Sequence, residues 1–114
     1  MLSTPDIKEL PERFGAYFGR AADFILTGHF YDVTITAAEV SANTTEEQTF
    51  TVNGLITTDF VLVQKPTHQA GLGIVNARVS AANTLAITYM NTTGSGITPT
   101  SETNLILAIR REHE

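Results

Sequence analysis

From Tyr31 onward the apolar side chains of this chain recur at every second position. The run YDVTITAAEV sets Val33, Ile35 and Ala37 on one side and Asp32, Thr34 and Thr36 on the other, the period of a half-buried strand. SANTTEE follows as a polar loop, and QTFTVNGL alternates again, with Phe50 and Val52 facing in and Thr49, Thr51 and Asn53 facing out. Asn53-Gly54 is a turn dipeptide, because both residues tolerate positive φ. DFVLVQKP is apolar on both sides through Phe60, Val61, Leu62 and Val63. That pattern predicts a strand that is central or covered on both faces, ended by Pro66.

The second half repeats the theme. IVNARVSA predicts Val75, Ala77 and Val79 on one face and Asn76, Arg78 and Ser80 on the other. SAAN makes a tight connection with Asn83 in the left-handed region, and TLAITYMN returns with Leu85, Ile87 and Tyr89 on its apolar face. TTGSGITPTSET is a Gly/Ser/Thr/Pro loop, and NLILAIRR closes the domain. Strand runs at this spacing, with no helical pattern between them, predict an all-β antiparallel β-sandwich or jelly-roll-like domain over residues 31–114.

The first thirty residues differ. Phe14, Tyr17, Phe18, Phe24, Phe30 and Tyr31 hold most of the aromatic side chains, and Pro11, Gly15, Gly19 and Gly28 interrupt any long helix. Residues 1–30 therefore read as an N-terminal arm, extended or partly helical. If one turn is helical, Phe14, Tyr17 and Phe18 share its face. Such an arm covers one end of its own domain or packs on another subunit.

Composition narrows the function classes. The net charge is −5, and the few Lys and Arg are scattered apart from Arg110-Arg111. That disfavours direct nucleic-acid binding. Cysteine is absent, which removes thiol catalysis, thiolate metal sites and disulfides. No apolar run reaches the length of a membrane span, and the acidic start MLSTPDIKEL does not read as a secretory leader. His29, His68 and His113 are far apart and lack metal-ligand spacing. Neither a G-x-S-x-G elbow nor a complete phosphate loop is present. Gly71-Leu72-Gly73 reads as a bend entering a strand. Asp32 and Asp59 border apolar runs and read as solvated strand-edge residues. The chain is expected not to be an enzyme and to need no cofactor. Carbohydrate recognition is weakened by the lack of Trp.

The pieces VNGL at 52–55, DFVLVQKP at 59–66, GLGIVNARVSAANTL at 71–85, ITYMNTT at 87–93 and PTSET at 99–103 carry a resemblance. In content and order they resemble small structural proteins of tailed bacteriophages, over roughly residues 48–110, and look like the β-sandwich of capsid decoration (cement) proteins. What the resemblance implies is structural work on the outer capsid surface of the virion, by a protein made in the host cytoplasm. The implied partners are the major capsid protein and further copies of the chain in a homotrimer, with no membrane and no nucleic acid. The family's arm role carries over to Leu10, Phe14, Tyr17, Phe18, Phe24, Ile25 and Leu26 as capsid-contacting residues. The alternative is a tail or fibre accessory module that recognises the host through the 94–99 loop.

Overall fold

The computed structural model describes the backbone over residues 24–113 and the side chains over residues 27–110. The described chain is all-β, with six strands and no helix. They are β1 (Phe24–Ile35), β2 (Thr44–Thr51), β3 (Phe60–Gln64), β4 (Leu72–Ala81), β5 (Thr84–Asn91) and β6 (Glu102–His113). Two antiparallel three-stranded sheets result, ordered β1-β6-β3 and β2-β5-β4. By packing, the chain divides into residues 1–27 with 111–114, and residues 28–110; the packing described below lies within 28–110.

Alternation builds one core from both sheets. Ile35, Val61, Ile106 and Ala108 come from the first sheet, and Val79, Leu85, Ile87 and Tyr89 from the second; all are buried in a single cluster with Ala37, Val40, Val52 and Leu55. Sequence periodicity therefore placed the inward residues of β1, β5 and the end of β2 correctly. A one-residue slip would have exposed the whole set.

Four expectations are corrected. Residues 44–47, read as loop, extend β2, because Thr44 to Glu47 pair with Asn91 to Thr88. Residues 24–30, read as part of the arm, are already strand. The third concerns β4, where Ile74 lies opposite Tyr89 and Asn76 opposite Thr88, leaving Val75 as an extra residue in a bulge. The bulge switches phase, so Leu72 and Ile74 join Ala77 and Val79 on the core side and Val75 turns outward, half exposed. Finally, β3 is not central. It is an edge strand with β6 as its single neighbour, and Phe60 and Leu62 face solvent. The strand buried on both faces is β5, where even Ala86 is inaccessible.

Turns follow the expected chemistry. Gly54 has φ 107° and Asn83 φ 62°, while Asn53 is not left-handed. Asn83 ties the two turns together: its Oδ1 accepts from Gly54 N–H at 2.7 Å and its N–H donates to Leu55 O at 2.9 Å. The 92–101 loop is held by buried Asn91, whose Nδ2 donates to Val40 O and Ser95 O and whose Oδ1 accepts from Thr93. A bridge between Val40 and Ile97 adds to this.

Candidate interaction surface

The side chains that do not enter the core decide what the molecule presents. In β6, Asn104, Ile106 and Ala108 point inward and are buried, so Leu105, Leu107 and Ile109 point the other way. The β3–β6 register sets Leu62 opposite Leu107 and Phe60 opposite Ile109. In β1, Val33 and Ile35 face the core, which leaves Phe30, Asp32 and Thr34 outside. The Thr34 and Thr103 hydroxyls lie 3.5 Å apart, so antiparallel pairing brings Phe30 level with the Leu105–Ile109 row. The outer face of the β1-β6-β3 sheet thus carries an apolar group of side chains, bordered by Asp32, Thr34, Gln64 and Thr103. Phe30 is 69% exposed, Phe60 59%, Leu62 52% and Leu105 36%. Together these four residues expose on the order of 400 Å², within the range of the largest apolar patch on a typical monomer, which is often functional.

Both ends of β3 are pinned by charge. At its start, Arg110 grips buried Asp59 with two bonds of 2.8 Å and donates a third, also 2.8 Å, to Gly54 O. Ile56 N–H donates to the same carboxylate at 3.1 Å. The Arg110 hydrogen bonds hold the Asp59 carboxyl below its usual range; burial pushes the other way and is overcome, and the Ile56 N–H assists. Asp59 is therefore no solvated edge residue, as the sequence suggested. Its side chain is inaccessible, because the partner that neutralises it comes from 51 positions away. At the far end, Lys65 pairs with Glu102 at 3.1 Å, and Glu102 also accepts from the Thr67 hydroxyl. That hydroxyl is the main cause of the lowered Glu102 pKa, with Lys65 adding to it against burial. Between these pins, the strand reads FVLVQ and carries no charge.

Of the residues assigned to partner binding from the sequence, Leu10, Phe14, Tyr17 and Phe18 lie outside the described residues. Phe24, Ile25 and Leu26 open β1, but their side chains also lie outside the described set. The surface that the fold does assemble was missed: Phe30, Phe60, Leu62 and Leu105. Its signal was present in FVLVQ, an apolar run whose pattern predicts burial on both faces, and in the apolar closing run NLILAI. Among the described residues, no group of three or more His, Asp or Glu side chains is placed to hold a metal ion, and no helix is long and apolar enough to cross a membrane.

Comparison with known proteins gives no matching family model, no matching curated protein and no matching solved structure.

Proposed function

We propose that this chain is a structural virion protein of a tailed phage that decorates and stabilises the capsid by bridging neighbouring major capsid subunits. It works by binding and performs no chemistry. The observation that carries the reading is the apolar outer face of the β1-β6-β3 sheet, exposed through Phe30, Phe60, Leu62 and Leu105. A face of this kind is stable when another protein surface covers it. The ordered motifs between residues 52 and 103 support the phage assignment by resemblance. In this reading the two sheets form a jelly-roll-like β-sandwich, the residues that precede β1 act as an arm on a neighbour, and copies assemble as a homotrimer on the outer capsid. Contacts repeated over a shell multiply, so each one can be weak.

The test is binding of the purified chain to heads that lack it, followed by heat or osmotic shock. Saturable binding that raises the survival of the heads is expected. Absence of binding to heads, with binding to tails or host cells instead, overturns the capsid assignment and moves attention to the 94–99 loop. Deleting residues 1–23, which stops short of β1, is expected to weaken head binding while the β-domain stays folded.

A further inference from the structure

Asn53 is the one asparagine of six that precedes a glycine; the others precede threonine, alanine or leucine. That neighbour matters chemically. A glycine has no Cβ to keep its nitrogen away from the preceding side chain, whereas a β-branched threonine crowds the same approach. In a loosened Asn-Gly pair the glycine nitrogen gives up its proton and attacks the asparagine Cγ. The N–Cγ bond forms, the Cγ–Nδ2 bond breaks, and Nδ2 leaves as ammonia. Water then opens the succinimide ring. Attack at Cγ gives aspartate, and attack at the main-chain carbonyl gives isoaspartate, whose backbone runs through the former side chain. Nothing is oxidised or reduced.

The fold places this pair at the surface and holds its nucleophile shut. Asn53 is exposed and sits with Gly54 in a turn closed by Leu55 N–H donating to Val52 O at 3.5 Å. The Gly54 N–H, whose proton must leave, donates to Asn83 Oδ1 at 2.7 Å. The same Asn83 holds both flanks of the turn. Its O accepts from Val52 N–H and its N–H donates to Leu55 O, each at 2.9 Å. Arg110 donates to Gly54 O at 2.8 Å, and the Tyr31 hydroxyl stands 2.9 Å from where a Cβ on Gly54 would be. The Gly54 peptide is therefore gripped at its N–H, at its O and over its α-carbon by three segments distant in sequence.

We infer that Asn53 is a deamidation site of this chain, kept closed in the folded state by the Asn83 side chain and opened when the corner between β2 and β3 loosens. The inference is independent of what the outer face binds. An amide proton must break its hydrogen bond before base can remove it, the same requirement that slows hydrogen exchange. The modification has structural consequences. It adds a negative charge to a chain of net charge −5, and isoaspartate adds a carbon to the main chain beside Gly54. That displaces the N–H held by Asn83 and the O held by Arg110, and Arg110 also grips Asp59. The isoaspartate product therefore weakens the pin at the start of β3.

The full chain is aged at mildly alkaline pH, folded and in urea, and Asn53 is followed by peptide mapping for aspartate and isoaspartate. The folded chain should react roughly tenfold or more slowly than the chain in urea. Asn83→Gly accepts the left-handed backbone, φ 62°, and removes the side-chain acceptor. Under folding conditions it should speed reaction at Asn53 roughly threefold to tenfold, and exchange of the Gly54 amide should quicken with it. Asn83→Asp keeps an acceptor oxygen and should react at the wild-type rate. Ile87→Val removes a buried methyl group in mid-β5; it lowers global stability and leaves the Asn83 side chain in place. With its stability matched to that of Asn83→Gly by a trace of urea, it should react more slowly than Asn83→Gly. Four outcomes overturn the inference. No reaction at Asn53 in urea removes the site. A folded chain that reacts as fast as the chain in urea removes the protection. An unchanged rate in Asn83→Gly removes the role of Asn83. Equal acceleration by Ile87→Val at matched stability assigns the protection to global folding instead.

Discussion

The two sheets share a core, yet their outer faces differ. On the β2-β5-β4 sheet, Glu47 lies opposite Thr88 and Arg78 opposite Ala86. The two charged side chains reach across β5 and close a two-bond pair of 2.8 and 3.0 Å over its small residues. Thr45, Thr49, Thr51 and Asn76 surround them on the same face. On the β1-β6-β3 sheet the outer positions hold Phe30, Leu105, Leu107, Ile109, Phe60 and Leu62 together with Asp32, Thr34, Thr103 and Gln64. The first face is the more polar, although it also exposes Val75 and Met90. Both inner faces contribute to the same core, so the contrast lies in the outer faces alone.

The largest effect should come from the pin that holds the edge strand of the apolar sheet. Asp59→Asn leaves Arg110 without its charge partner, and losing one member of a buried pair costs about 3–5 kcal/mol. Chemical denaturation measures it. A loss below ~1 kcal/mol would show that the pair does not hold β3. The same carboxylate predicts an acid limb. Its folded pKa lies below the ordinary 3.8, so the unfolded chain takes up protons first. The stability it contributes is present above that value and is lost as pH falls through the folded pKa. Asp59→Asn should flatten this limb.

Next comes the face itself. Replacing Phe30, Phe60 and Leu105 together by threonine should abolish head binding and raise solubility, while changing stability by no more than about 1 kcal/mol per site. Retained head binding with an intact fold would show that the partner sits elsewhere.

A smaller effect belongs to the inner face of the other sheet. The Tyr89 hydroxyl is buried with no hydrogen-bond partner among the described residues, and burial pushes its pKa up to about 12. Tyr89→Phe removes a desolvated polar atom and should be neutral or stabilising by about 1 kcal/mol. Because the folded pKa is raised above the ordinary 10.0, the stability linked to it is intact below pH 10 and is lost as pH climbs toward 12. Denaturation of both forms across that range should show a shallower alkaline decline for Tyr89→Phe.

The smallest effect is expected for Glu47→Gln, which removes an exposed pair on the hydrated face. The melting temperature should barely move, and any difference should vanish in high salt. A large loss would mean that this face, too, depends on its side chains for more than solubility.

Period-two alternation by itself determined that the described residues are all-β, where four of the six strands lie for most of their length, and which side chains of β1, β5 and late β2 enter the core. Those are local properties: a strand shows its buried face in its own sequence. Turn residues were legible for the same reason, since Asn83 and Gly54 answer to backbone sterics. Sheet order was not legible. An apolar run such as FVLVQ looks the same whether a sheet covers it on both sides or it lies at an edge awaiting a partner. Only hydrogen bonding to distant strands decides between the two. The tertiary structure also decided that Asp59 is buried, because its partner is Arg110, and that Val75 points outward, because one extra residue in β4 reverses the phase. The candidate surface is a product of those long-range choices: Phe60 meets Ile109 and Leu62 meets Leu107 only when β6 pairs with β3.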